Sequence, residues 1–201
     1  MTGEKVFFTS CLFQPPRYTG LTKKKFSAEV YIMSVVIPTT PSRASALSRK
    51  QLSTYLEHIW QCYFSDVPRQ NLVEIAYCRP WKSRLGLIRM TLDGTKSFIG
   101  INSLLQVERV PEYVLTTTSA HELTHYTHGF GSPLPRLYEH PHANNVVERE
   151  LERRGLGNFL RKCDEWIDKH WFPFYDMQRE AGWAGITQTY RSSRDQHHAR
   201  C

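Results

Sequence analysis

The amino-acid sequence predicts an α+β protein with a small mixed or antiparallel sheet and flanking helices. Apolar residues recur every three to four positions between Ser48 and Phe64, which is typical of one face of a helix. Short runs rich in β-branched and aromatic residues follow and are separated by turn residues, as strands are. A further helix-compatible segment after residue 111 contains neither proline nor glycine up to Gly129. Helical and strand-like patterns therefore occur in one short chain.

The first helix has a clear beginning and end. Ser48 is a suitable N-cap, and Leu52, Leu56 and Ile59 belong to the apolar stripe that follows it. Pro68 lies just beyond the stripe and cannot continue a helix. We therefore expect one amphipathic helix before the sheet.

Three strands are predicted after this helix. The strand-like runs are residues 72–77, 85–91 and 97–102. Asp93-Gly94 lies between the second and third runs, and this dipeptide is a strong signal for a tight turn between antiparallel strands. We therefore expect the second and third strands to form a hairpin.

Helices are expected to fill the rest of the domain. A short helix is predicted around Leu104 and Leu105, before Pro111. The next helix should begin near Glu112 or Thr116, where three threonines offer N-caps, and should end at Gly129. Two more helices are predicted over residues 144–153 and 158–171.

The predicted organisation is a single domain with two extensions. Residues 1–45 contain two adjacent prolines, three adjacent lysines and no sustained periodicity, so we expect a poorly ordered N-terminal extension. Residues 46–185 carry the predicted helices and strands. Residues 186–201 are polar, and we expect a flexible tail.

The cysteines argue against two kinds of site. The five cysteines are odd in number, scattered, and never spaced as C-x-x-C. This pattern fits neither a disulfide framework nor a cysteine-based zinc ribbon. Histidine or carboxylate side chains would therefore have to hold any metal.

The overall charge is basic, with 26 lysines and arginines against 19 acidic residues and a formal net charge of +7. Such a balance permits DNA association through a basic surface. The basic residues are spread along the chain, however, which favours an ordinary solvated surface. The longest apolar run, residues 31–37, is too short to span a bilayer. We expect a cytoplasmic protein whose oligomeric state the sequence does not indicate.

The segment His121-Glu122-Leu123-Thr124-His125 is an H-E-x-x-H motif. On a helix, the two histidines lie on one face about 6 Å apart along the axis, so both rings can converge on one zinc ion. Glu122 is rotated by about 100° from His121 and can reach a water on that ion. A zinc-activated water with Glu122 as general base is the arrangement of a metallohydrolase.

A third protein ligand must come from outside this pair. His128 lies about 10 Å along the helix axis from His121, too far for all three to bind one ion in a straight helix. A metzincin would require a glycine where His128 stands and a histidine where Gly131 stands, so that class is excluded. We expect His128 to be a supporting or surface residue. The remaining candidates, in order of preference, are His142, His140 and the glutamates Glu148 and Glu150.

These motifs resemble the SprT-like zinc metallopeptidases, a family that includes the Spartan DNA–protein crosslink proteases. The resemblance covers about residues 48–160. Its helix motif spans residues 118–125, and Pro141-His142-Ala143 resembles the segment that supplies the family's third zinc ligand. Arg84-Leu85-Gly86 and residues 99–102 resemble its two strands. The C-terminal zinc ribbon of some members is absent, and Ala143 replaces the family's glycine.

The resemblance implies a zincin-like metallopeptidase domain. It implies zinc on His121, His125 and His142 with Glu122 as catalytic base. It also implies protease activity, with DNA-associated proteins as a substrate class. Independently of the family, we expect the strand at residues 98–102 to accept a peptide substrate by strand addition, since it precedes the metal helix.

Three other functions stay open at this level. The first is a non-catalytic basic interaction module that zinc only stabilises. The second is a gluzincin-type peptidase with Glu148 or Glu150 as third ligand. The third is a hydrolase acting on a bond other than a peptide, because the motif defines water activation and not the scissile bond. Only the hydrolases require Glu122.

Overall fold

The structure is a computed structural model that describes residues 49–183 and 186. Ser48, the predicted N-terminal extension and nearly all of the predicted tail lie outside these residues. The α-helices and strands are, in order, α1 (Arg49–Tyr63), β1 (Leu72–Cys78), β2 (Gly86–Met90), β3 (Lys96–Asn102), α2 (Glu112–Thr127), α3 (Val146–Arg153), α4 (Gly157–Trp166) and α5 (Phe172–Glu180). Short 3-10 turns cover Ser103–Gln106 and Ala143–Asn145. The α+β class predicted from the sequence is confirmed.

The sheet is mixed and has the strand order β1-β3-β2. β2 and β3 form the predicted antiparallel hairpin, whereas β1 pairs with β3 in parallel. The hairpin turn depends on Asp93, whose carboxylate accepts hydrogen bonds from the Thr91 hydroxyl and from the amide and hydroxyl of Thr95. Gly94 adopts a φ of 71°, which glycine adopts without steric cost.

The central position of β3 corrects one prediction. We expected residues 98–102 to accept a peptide strand, but β1 and β2 already occupy both sides of β3. Parallel pairing of β1 with β3 places the first strand beside the third, which local sequence patterns do not indicate. The strand next to the metal helix with an outer edge is β2.

Helices α1 and α2 pack together and contact the sheet, α1 chiefly at β1 and α2 chiefly at β2. Alternate strand residues such as Ile75, Ile88 and Ile99 are buried in the core. The fully buried Tyr126 of α2 packs edge-on against Trp60 of α1 at 5.2 Å and donates a hydrogen bond to the Asn71 side chain. The side of α2 that faces the core is thereby held rigidly.

Helix α2 begins at Glu112, one of the two predicted starts, but the prediction that a threonine caps it is wrong. Pro111 is the N-cap residue, and the three threonines lie inside the helix. The Thr116 hydroxyl hydrogen bonds to the Glu112 carbonyl and to the Tyr55 hydroxyl. Thr116 therefore joins α2 to α1 and does not cap α2. The predicted end holds, because Gly129 follows the helix with a φ of 78°.

The helix predicted over residues 158–171 is longer and irregular. After α4, residues 167–171 form a π-helical turn that leads directly into α5. Pro173 explains the widened turn, since it has no N–H to donate and its ring would clash with the carbonyl four residues earlier. Trp171 in this turn donates its indole N–H to the Lys82 carbonyl, which joins the helices to the loop before β2.

Two absences concern the described residues only. No helix among residues 49–183 combines the length and the apolar character that a bilayer crossing requires. Cys62, Cys78 and Cys163 form no disulfide, while the other two cysteines lie outside the described residues.

Candidate metal centre

Three histidine rings converge at one end of α2. His121 and His125 lie one helical turn apart with ring centroids 4.7 Å from each other. His142, from the loop before α3, lies 5.3 Å from His121 and 4.7 Å from His125. One nitrogen from each ring can be chosen so that all three lie within 4.8 Å of one another. This spacing is compatible with three ligands on one metal ion.

The loop after α2 brings His142 back to the helix. Gly129 turns the chain so tightly that a Cβ there would lie 2.5 Å from the Pro135 carbonyl oxygen. Leu137 then donates its amide to the His128 carbonyl. Beyond His142, Asn144 and Asn145 have φ values of 53° and 55°. These left-handed residues reverse the chain into α3 and fix where His142 stands.

Burial lowers the pKa of all three rings. It lowers the pKa of His121 to about 3, with help from the neighbouring His142. The pKa of His125, which is fully buried, falls well below its usual value for the same reason. The pKa of His142 also falls through burial, and the Glu148 carboxylate opposes the change. All three rings are therefore neutral near pH 7, the form that binds a metal.

Glu122 lies beside the cluster on the neighbouring face of α2. Its side chain is only 1% exposed, which is rare for a glutamate. Strand β2 covers it, because a Cβ at Gly86 would lie 2.5 Å from Oε1 of Glu122. The carboxylate is thus enclosed between the metal helix and the start of an edge strand.

The other predicted ligands stay outside the cluster. His140 is 73% exposed in its side chain and lies 3.8 Å from Glu139. Glu150 forms ion pairs with Arg153 at 2.6 Å and Arg154 at 2.8 Å. Glu148 is also outside the group of three. The histidine arrangement preferred from the sequence is the one that the structure brings together.

The structure decides between the two alternatives for His128, a supporting or a surface residue. It is 2% exposed, so it is not a surface residue. Its ring packs edge-on against Tyr138 at 4.8 Å and lies outside the three-histidine group. Burial lowers its pKa, which the nearby Glu150 carboxylate opposes. His128 therefore stabilises the loop that carries His142.

Two residues of the site were missed at the sequence level. Phe130 packs edge-on against His125, with ring centroids 6.3 Å apart, and the Arg136 guanidinium lies 4.8 Å from the centroid of the Phe130 ring. Gly86 is the second, through its approach to Glu122. An aromatic residue directly after the helix-ending glycine is a usable signal for packing onto that helix, and Phe130 carries it. No local pattern marks the approach of Gly86 to Glu122.

Three comparisons with known proteins found no match: none to a family model, none to a curated protein and none to a solved structure. The SprT-like resemblance therefore rests on the motif residues themselves.

Proposed function

We propose that this protein is a zinc-dependent metallopeptidase with zinc on His121, His125 and His142 and with Glu122 as general base. The observation that carries the proposal is the convergence of three neutral imidazoles beside one buried carboxylate. A structural zinc site usually has four protein ligands, whereas a catalytic site has three and leaves one position open. Three histidines fit the second type.

The donor set also suits the metal. Histidine nitrogen is a common zinc ligand, and three neutral rings need no proton release on binding. When bound, zinc acts as a Lewis acid that polarises a carbonyl group and lowers the pKa of water to about 7. Carboxylate and thiolate ligands are not required in this arrangement.

Glu122 supplies the proton transfers. Its carboxylate accepts a proton from the water that attacks the scissile carbonyl, and it later delivers that proton to the leaving amine. Strand β2 covers the carboxylate at Gly86, which limits the directions in which it can point. A protein that only needed zinc for stability would gain nothing from a buried acid at this position, since burying a charge costs free energy.

Strand β2 is the proposed docking edge for the substrate. Among the described residues, no strand pairs with its outer side. Gly86, at its start, is the residue next to Glu122, so an added peptide strand would pass the general base. Towards the other end, Gly131 approaches the backbone of Arg89. The loop at Gly131 thus lies against the Ile88 and Arg89 part of the strand.

DNA-associated proteins are the proposed substrate class. This part rests on the family resemblance and on the net charge of +7. A basic protein would be drawn to DNA by phosphate contacts, so both its affinity and its activity on bound proteins should fall steeply with salt.

The testing experiment compares the wild type with Glu122→Gln. Glutamine keeps the side-chain volume and the helix but cannot act as the base. We expect one zinc per chain in both proteins and a casein hydrolysis rate lower by about 10²–10⁴-fold in the variant. The assay is run with and without single-stranded DNA. Glu139→Gln is the matched control, because its side chain is 88% exposed and outside the cluster.

The alternative function, a zinc-stabilised interaction module, predicts a different result. The wild type would then bind one zinc and unfold at a lower temperature without it, yet cleave neither casein nor DNA-bound protein. Equal turnover by the wild type and Glu122→Gln would instead show that another group is the base.

A further inference from the structure

Gly86 of β2 lies directly against Glu122 of α2. An added Cβ at position 86 would lie 2.5 Å from Oε1 and 3.0 Å from Cγ of Glu122. It would also lie 2.9 Å from the Cγ2 methyl of Thr118, one turn earlier on α2. Carbon and oxygen atoms that are not bonded do not approach this closely, so any side chain at position 86 displaces something.

The strand cannot yield easily at this position. Gly86 is paired with Ile101 on the central strand, and the Leu85 carbonyl accepts the Asn102 amide at 2.7 Å. The fully buried Asn102 side chain donates to the carbonyls of Trp81 at 2.8 Å and Arg84 at 2.7 Å. The start of β2 is therefore held by hydrogen bonds on both sides of Leu85.

The helix cannot yield easily either. Glu122 is 1% exposed and Thr118 is 5% exposed, and both lie in a helix that is packed against the core. The displaced group would be the end of the Glu122 side chain, because it is the part with free torsions. Moving it changes the position of the carboxylate relative to the three histidines.

We propose that Gly86 is a positioning residue for the Glu122 carboxylate, acting through its missing side chain. The catalytic part of this inference rests on the proposed function. The contact itself does not, so the two can fail separately. A side chain at position 86 moves the base while leaving the three histidines in place.

Gly100 provides a matched control in the same sheet. A Cβ there would lie 2.7 Å from Sγ of Cys78 and 3.2 Å from Cγ of Leu87. Gly100 is thus nearly as crowded as Gly86, but its neighbours are a thiol and an apolar side chain rather than Glu122. Gly100→Ala should lower stability without changing the rate per bound zinc.

The first experiment is independent of activity. Thermal unfolding of the metal-free protein is measured for Gly86→Ala, Glu122→Ala and the double variant. Overpacking should lower the melting temperature of Gly86→Ala by about 5 °C. In the Glu122→Ala background the same change should cost less than half as much, because the crowding atoms of Glu122 are gone. A double variant that folds where Gly86→Ala does not would support the contact most strongly.

Equal losses in both backgrounds would overturn the proposed contact. The same holds if neither protein with alanine at position 86 folds, since the obstruction would then be backbone or Thr118. Gly100→Ala should lower the melting temperature by the same amount in the wild-type and in the Glu122→Ala background.

The second experiment tests positioning on the zinc-loaded protein. Gly86→Ala should retain one zinc per chain and lose about 10²-fold in kcat, since a displacement near 1 Å costs about this much. In a Glu122→Asp background, where the carboxylate is already withdrawn, Gly86→Ala should lower kcat by less than about threefold. An unchanged kcat, together with the coupled stability effect, would show that the contact exists but does not position the base. A wild type without activity would refute the proposed function and leave the stability result to decide on the contact.

Discussion

The two halves of the metal centre are built differently. His121 and His125 belong to a 16-residue helix that packs on the core, and its side chains on that face are buried. His142 belongs to a loop that is mostly exposed from Pro133 to His140. Its position depends on a tight glycine turn and two left-handed asparagines rather than on a packed surface. The helix half is therefore formed by folding alone, whereas the loop half needs specific backbone conformations.

This difference predicts how the halves respond to the metal. We expect the helix histidines to keep their positions with or without the proposed zinc. Zinc that binds only the complete site would stabilise the folded protein by mass action, and we expect its main structural effect to be ordering of the loop. Substitutions in each half of the site should separate the two contributions.

Loss of a helix ligand should have the largest effect. His125→Ala removes a buried ligand and should abolish measurable zinc binding. His142→Ala should lower zinc affinity by at least ~100-fold, since losing a ligand costs at least as much as losing a group that orients one. His140→Ala should leave affinity within a few-fold of wild type. Zinc affinity is measured by competition with a chelator. A large loss of affinity in His140→Ala alone would show that His140, and not His142, is the loop ligand.

The ion pair that fastens α3 should rank second. Arg154 has a 4% exposed side chain, donates to Asp66 and to the Tyr63 carbonyl, and lies 4.3 Å over the Phe64 ring. Arg154→Ala should lower the free energy of unfolding by about 2–4 kcal/mol, because it takes the buried cation away from the largely buried Glu150 carboxylate and from the Phe64 ring.

Arg153→Ala is the matched control for this ion pair. Arg153 binds the same Glu150 but is 62% exposed, so its loss should leave the free energy of unfolding almost unchanged. Urea unfolding measures both variants, and equal losses would show that burial of Arg154 contributes nothing.

The left-handed asparagines should contribute less. Asn145→Ala should cost about 1 kcal/mol of stability and lower zinc affinity a few-fold, because alanine lacks the short polar side chain that lets asparagine adopt a left-handed conformation. Asn145→Gly adopts this conformation freely and should keep wild-type affinity. If alanine and glycine behave alike in chelator competition, the conformation does not position His142.

The smallest effect should appear in the pH dependence of α4. Burial, with Asp168 and Glu148 nearby, raises the pKa of Asp164 to about 6. The folded protein then keeps a proton that the unfolded chain has released, so stability falls as pH rises from about 4 to 6. Asp164→Asn should remove that fall and stabilise the protein at pH 7 by about 1 kcal/mol, after allowance for partial solvent exposure. Urea unfolding at pH 4 and pH 7 measures the change.

The sequence indicated local features well and distant contacts poorly. The histidines at positions 121 and 125, the turn at Asp93-Gly94 and the end of α2 at Gly129 follow from spacing and backbone preference over a few residues. The central position of β3, the burial of His128 and the approach of Gly86 depend on packing between distant segments. His142 lies between these cases. The motif limited the third ligand to a few candidates, and the loop geometry brings only His142 to the two helix histidines.

The loop that carries His142 is also the place where we expect a protease to cut the metal-free protein. Its first part is tied down by hydrogen bonds from Ser132 to the Tyr126 carbonyl and from Ser97 to the Gly131 carbonyl. Leu137 and Tyr138, just beyond, are 58% and 38% exposed. We expect a chymotrypsin-like protease to cut there and to separate His142 from His121 and His125, and we expect the proposed zinc to slow the cut because it would tie His142 to the helix. Limited proteolysis with and without a chelator would then report whether the site holds its metal.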